Sequence, residues 1–194
     1  MREKTLQDLS KEEIDRLFPI EISPYNKGWP KLFAEEKRLI QDTLEPGLVY
    51  RIEHFGSTSV PGLSSKDTID ILMEVEFDDI KSARLIAIMK TLSYEFNWQN
   101  EGSQSHMVFV KGYNLLSPKM QTYHIHAGPK EHPIWDRIPF RDYLIAHPET
   151  AKAYEQLKIQ LAKDFKHERV AYRIAKTEFI KAVTDKAKIA LQRQ

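Results

Sequence analysis

The 194-residue chain is predicted to fold as an α+β domain, a mixed sheet flanked by helices with a helical C-terminal third. Three observations carry that prediction. Two alternating apolar runs, 48–55 and 68–75, meet across a loop of small residues. Three more extended segments, Tyr94–Gln99, His106–Lys111 and Gln121–Ala127, follow with no helical pattern between them, which points to antiparallel pairing. From Glu131 onward the apolar spacing is helical.

In chain order, Ser10 with Glu13 three residues on has the capping-box form ahead of Ile14, Leu17 and Phe18, and predicts a short amphipathic helix. Pro19 and Pro24 bracket an extended Ile20-Glu21-Ile22. Trp29-Pro30 opens a helix whose stripe of Leu32, Phe33, Leu39, Ile40 and Leu44 reads as core, and Pro46-Gly47 ends it. Asp78-Asp79 caps a helix through about Leu92, with Ile80, Ala83, Ile86, Ala87 and Leu92 predicted on one face. Turn chemistry separates the later strands at Asn100-Glu101-Gly102-Ser103 and at 112–119. The last third divides into a helix ending at His147, a second from Pro148 to Phe165, and a third from about Glu168 carrying Tyr172, Ala175, Phe179 and Ala182. One domain over 1–194 is expected, with 1–19 as an N-terminal helical extension and 130–194 as its helical C-terminal part.

Composition narrows the chemistry. Lys plus Arg at 29 against Asp plus Glu at 28 leaves no basic excess, which argues against nucleic-acid binding by charge alone while leaving a local basic patch open. The chain has no cysteine, so disulfides, thiolate metal sites and cysteine nucleophiles are excluded. The charged start, Met1-Arg2-Glu3-Lys4-Thr5, has no apolar signal core and no run is long enough to span a membrane, so a cytoplasmic protein without a membrane partner is expected.

The chemistry centres on residues 52–75. Glycine at Gly56-Ser57 lets backbone N–H groups approach a ligand closely, and successive amides in such a turn cradle phosphate. In the following strand Ile69, Ile71, Met73 and Val75 point one way and Asp70, Leu72 and Glu74 the other. Asp70 is thus presented away from the aliphatic set. His124 and His126 alternate with Tyr123 and Ile125 and project to a common face, where two imidazoles at i, i+2 can share a metal. Joined by Asp70, and by His54 if it faces the same way, they would form a mixed nitrogen and oxygen site suited to zinc, manganese or iron. The other reading has one histidine bonding across the sheet and its neighbour contacting ligand phosphate. His54 itself reads as a buried sheet histidine, and Glu53, facing the other way, as a partner for an arginine of the helical third.

The run Ile52-Glu53-His54, Gly56-Ser57-Thr58, Val60-Pro61-Gly62-Leu63, Lys66 and Ile69-Asp70-Ile71 resembles the GrpB family. The resemblance resumes in Tyr123-His124-Ile125-His126, Phe140-Arg141-Asp142-Tyr143-Leu144, His147-Pro148, Tyr154, Leu157-Lys158, Tyr172, Lys176 and Phe179-Ile180, and covers nearly all of 22–185. It implies the fold of the polymerase-β-like nucleotidyltransferases, in which a Gly-Ser loop holds triphosphate and carboxylates at alternate strand positions hold metal ions. On that expectation Gly56, Ser57, Thr58 and Lys66 bind phosphate, Asp70 is the catalytic carboxylate, and Asp70, His124 and His126 hold a divalent ion, Mg, Mn or Zn. Arg141, set between aromatic residues, either clamps phosphate or anchors a carboxylate, and Lys158 and Lys176 border the cleft or are solvated.

Two departures matter. Asp67 stands where the family has proline and reads as a solvated turn acid. The residues two before and two after Asp70 are Thr68 and Leu72, so the alternating carboxylate pair is incomplete, and Glu74 is about 13 Å away along the strand. Three functions therefore stand open: a metal-dependent nucleotidyl or phosphoryl transferase acting on a nucleotide or other phosphorylated small molecule, an inactive nucleotide-binding or regulatory module, and a hydrolase using Asp70, His124 and His126. No Walker, nucleophile-elbow or His-Glu-x-x-His motif competes.

Overall fold

The computed structural model describes residues 8–99, 105–113 and 120–192. The predicted turn at 100–103, the loop over 114–119 and the charged start of the chain lie outside them.

The fold is α+β. Five strands, β1 (Arg51–Phe55), β2 (Thr68–Glu74), β3 (Glu95–Gln99), β4 (His106–Lys111) and β5 (Thr122–Gly128), form one sheet in the order β1-β2-β5-β4-β3. β2 and β5 are parallel and every other pair is antiparallel, so the sheet is mixed. The parallel pair needs a crossover, supplied by α3 (Asp79–Thr91) and the β3–β4 hairpin. The remaining helices are α1 (Lys11–Leu17), α2 (Trp29–Thr43), α4 (Arg137–Ala146), α5 (Pro148–Asp164), α6 (Arg169–Ala175) and α7 (Thr177–Gln192). Ser10 and Glu13 form the predicted capping box on α1, and Asp78 caps α3. Among the described residues no helix is long and apolar enough to cross a membrane.

The period of β2 assigns the two faces of the sheet. Ile69, Ile71 and Met73 join Ile125, Ala127, Met107 and Phe109 in a core closed by Trp29 and Ile40 of α2 and Leu85 and Met89 of α3. The opposite face carries Asp70 and Leu72 beside His124 and His126, matched in register as Asp70↔His124 and Leu72↔His126. The loop after β1 turns toward this second face. Its Val60 and Leu63 pack with Phe140, Leu144, Tyr154 and Val183, so loop and helical third share one core.

Two predicted helices differ. The buried stripe of α3 is Leu85 and Met89, with Ile86 alongside, whereas Ile80 is 78% exposed. Apolar residues lie around most of that helix, and the sheet selects the stripe. The single helix expected from Glu168 breaks at Lys176, where the chain turns so that Tyr172 packs on Ile20 and Ala162 while Phe179 packs in the cluster of Phe140 and Tyr154.

Candidate phosphate site at the Gly56-Ser57 loop

The loop is held by its own side chains. Ser59 donates to the Gly56 carbonyl at 2.6 Å, and the buried Thr58 hydroxyl donates to the Thr68 carbonyl at 3.1 Å. That leaves Thr58 Oγ1 to accept from His54 Nε2 at 3.1 Å, which places the His54 proton on Nε2. Farther along, α5 holds both backbone groups of one residue: Ser64 N–H donates to Glu155 Oε1 at 2.7 Å, and the Lys158 ammonium donates to the Ser64 carbonyl. Ser65 pairs with Ser23 of the N-terminal segment through two backbone bonds of 2.8 and 2.9 Å.

Asp70 lies directly beneath Gly56. A Cβ on that glycine, whose φ is +73°, would stand 2.3 Å from Asp70 Oδ2. Burial raises the Asp70 carboxyl above its usual range even though Lys66, Arg137 and Lys176 all pull it down. Those cations crowd one another. Burial, then the charge of Arg169, brings Lys66 to about 8. Burial, then Lys66 and Lys158, brings Lys176 to about 7. Lys158 also falls to about 7, chiefly by burial. The Ser57 hydroxyl meets Tyr154, whose own ionisation burial suppresses. Lys176 Nζ stands 4.1 Å from the centre of the Tyr172 ring.

On the other side of Asp70 runs a chain of polar groups. Arg169 donates to the Tyr113 hydroxyl at 3.1 Å, so that hydroxyl gives its proton to His124 Nε2. The network assigns the His124 proton to Nδ1, which faces Asp70 Oδ1 at 3.9 Å. Burial and the charges of Lys66 and Arg169 hold His124 neutral down to about pH 3.

The structure thus brings Gly56, Ser57, Lys66, His124 and Lys176 into the neighbourhood of Asp70. The remaining predicted residues have other engagements. Thr58 faces inward to brace the loop. Lys158 is committed to the Ser64 carbonyl, its charge reaching Lys66 and Lys176. Arg141 takes the anchoring role, donating to Glu53 Oε2 at 3.1 Å and to the His54 carbonyl at 2.7 Å and so tying α4 to β1. His54 lies on the core face, stacked on Phe33 at 4.6 Å. His126 shares the Asp70 face, but its Nδ1 is bonded to His106 Nε2 at 2.9 Å. Asp67 is exposed, yet it does more than meet solvent: its Oδ1 accepts the indole N–H of buried Trp29 at 2.6 Å.

Sequence reasoning missed Arg137, Arg169 and Tyr113. Each reaches the site only through packing, Arg137 with its guanidinium 5.2 Å from the Phe55 ring and Arg169 through Tyr113, and no local pattern marks them.

The donors do not fit a divalent-metal pair. Leu72, at the position of the second carboxylate, is fully buried in an apolar cluster with Phe55 and Ile134. The charges of Lys66, Arg137 and Lys176 act on the one remaining carboxylate. Among the described residues no three His, Asp or Glu side chains gather in metal-binding geometry. One carboxylate ringed by cations, beside a loop of small residues, suits an anion.

The solved structure of the conserved protein GrpB from Enterococcus faecalis aligns with this chain at TM-score 0.74 and 30% identity, covering 86% of this chain and 96% of that one. A UPF0157 protein of Pseudomonas aeruginosa is 37% identical over 170 residues, 87% of this chain and 67% of its own length. The UPF0157 protein YqkA of Bacillus subtilis is 36% identical over 170 residues, 87% of this chain but 47% of its own length, so the chain spans about half of that relative. The Cid1 poly(U) polymerase aligns at TM-score 0.41 with 11% identity over 76% of this chain, a distance at which likeness carries no chemistry. The family model for GrpB protein matches residues 19–186, close to the span of the sequence resemblance, and the chain belongs to that family.

Proposed function

We propose that the chain binds the phosphate of a nucleotide or another phosphorylated small molecule at the Gly56-Ser57 loop, with lysine and arginine in place of a bridging metal, and serves as a binding or regulatory module. The observation that carries this reading is the convergence of Lys66, Lys176 and Arg137 on Asp70. Crowded cations repel one another, and a phosphate dianion would relieve them. Backbone amides of a Gly-Ser turn such as Gly56-Ser57 would add donors of fixed position. Metal-dependent nucleotidyl transfer asks for a second carboxylate, and the apolar packing of Leu72 argues against it.

A thermal-shift screen of pyrophosphate, nucleoside triphosphates and coenzyme-A-related compounds in EDTA, repeated with Mg²⁺, Mn²⁺ and Zn²⁺, tests the proposal. A ligand at a hundredfold its dissociation constant adds about 2.7 kcal/mol. Stabilisation of that order in EDTA supports metal-free binding. Stabilisation seen only with a divalent ion overturns it and restores the transferase reading.

A further inference from the structure

We propose that the cleft between α1 and the turn leading into α6 is a second binding site, one that takes the primary ammonium group of a small amine or amino acid. This inference is independent of the phosphate reading. The cleft holds about 460 Å³ and is lined by Lys11, Glu12, Asp15 and Arg16 on one side and by His167 and Glu168 on the other. That volume suits a small molecule. Residues 11–16 precede the stretch matched by the GrpB model, 19–186, so one wall of the cleft is a helix outside that match.

Asp15 is the observation that points to a ligand. Apolar spacing in α1 favours Ile14 and Leu17 for burial, yet both are half-buried, and Asp15, 6% exposed, is the one buried residue of the helix. Among the described residues no hydrogen bond or ion pair reaches its carboxylate. Lys11 and Arg16 line the same cleft without pairing with it, and His167 Nδ1 donates to the Asp15 backbone carbonyl, at 3.1 Å, rather than to the side chain. The carboxylate also lies in the last turn of α1, where the helix dipole disfavours an anion. A buried charge without a partner is costly, and a residue that breaks local rules in this way marks a functional position. An ammonium is its complement, bringing the opposite charge and three donors to a group that only accepts. Glu12, Asp15 and Glu168 outweigh Lys11 and Arg16 around the cleft, which favours a cation. Lys11 and Arg16, both exposed, are placed to meet the carboxylate of an amino acid, whereas a simple amine needs Asp15 alone.

Butylamine and norvaline, which is butylamine with an α-carboxylate, are the probes, with 1-butanol (no charge) and pentanoate (no amine) as controls. Each is titrated into the full nitrogen-15-labelled chain at neutral pH and constant ionic strength, and amide chemical shifts are followed. Butylamine should give saturable shifts confined to residues 11–16 and 167–168 and their immediate neighbours, at concentrations at least about tenfold below any response to 1-butanol or pentanoate. Asp15→Asn keeps the shape and removes the charge, so it should weaken the amine at least about tenfold. Freed of an unpaired buried charge, the same variant should melt at or above the parent temperature. Norvaline binding more tightly than butylamine names an amino acid as the ligand class; otherwise the class is a simple amine, and either order supports the site. Shifts that do not saturate, that 1-butanol reproduces equally, or that survive Asp15→Asn overturn the proposal. So does a melting temperature lowered by more than about 4 °C in Asp15→Asn, which would make the carboxylate a structural partner within the fold.

Discussion

Replacing Gly56 by alanine tests the contact on which the site is built. The backbone there has φ 73° and ψ −175°, a region that residues with a side chain rarely enter, at a cost of roughly 1–3 kcal/mol. The added methyl would also meet Asp70 Oδ2 at 2.3 Å and Asp70 Cβ at 2.9 Å, and displacing that side chain adds about 1–2 kcal/mol. The sum, about 2–5 kcal/mol, lowers the melting temperature by about 4–20 °C in a chain of this size. Thermal unfolding followed by circular dichroism reads the loss, and a cycle with Asp70→Gly separates its two sources. Removing the Asp70 side chain relieves the clash but not the backbone strain, so Gly56→Ala should cost about 1–2 kcal/mol less in that background. A melting temperature within about 2 °C of the parent, or no coupling in the cycle, would refute the packing of loop on carboxylate.

Leu72→Asp places a charge in the apolar cluster of Phe55 and Ile134 and should destabilise by about 3–5 kcal/mol in a denaturant titration, whereas a stable variant that gains Mg²⁺-dependent stabilisation would contradict the exclusion of a metal pair. Arg141→Ala strips partners from Glu53 and the His54 carbonyl, and should cost about 1–3 kcal/mol while leaving any ligand-induced rise in melting temperature intact; loss of that rise would return Arg141 to the phosphate site. On the acid side, His54 and His124 have folded-state values of about 4 and about 3, below the unfolded value near 6.5. The unfolded chain therefore takes up protons first, and stability should fall as pH drops through the window from about 6.5 to about 4, by up to about 1.4 kcal/mol per pH unit for each histidine. On the alkaline side the depressed Lys66, Lys158 and Lys176 give stability that rises from about pH 7 toward pH 10, since the unfolded chain again holds more protons, and a bound phosphate compound should flatten that rise. A flat denaturation profile across either window would contradict the burial assigned to these groups.

Much of the sheet was legible because strand period is a local property. Alternation put Asp70 opposite Ile69 and Ile71, set His124 and His126 on one common face, and pointed Glu53 at an arginine of the helical third, which is Arg141, while the register across strands decided that the two histidines share the Asp70 face and that His54 lies on the other. The loop was legible from Gly56-Ser57. What the sequence withheld was convergence. Arg137, Arg169 and Tyr113 reach the surroundings of Asp70 from separate segments, brought there by tertiary packing that leaves no spacing to read. The bonds of Lys158 and Asp67 were hidden for a related reason: their partners, Ser64 and Trp29, are 94 and 38 residues away in the chain. The phase of α3 and the break at Lys176 follow from which cluster each apolar side chain must reach, a choice made by the assembled domain.

The central claim is a phosphate site that works through lysine and arginine without a metal. Isothermal titration of pyrophosphate into the full chain in EDTA, beside the Lys66→Ala/Lys176→Ala double variant, tests it most directly. The account predicts saturable one-to-one binding that is lost in the double variant, needs no added Mg²⁺, and is weaker at pH 8.5 than at pH 6.5, because binding holds a proton on Lys176 that the free protein has begun to release near pH 7. Binding that appears only when Mg²⁺ is added, or that survives loss of both lysines, would contradict it.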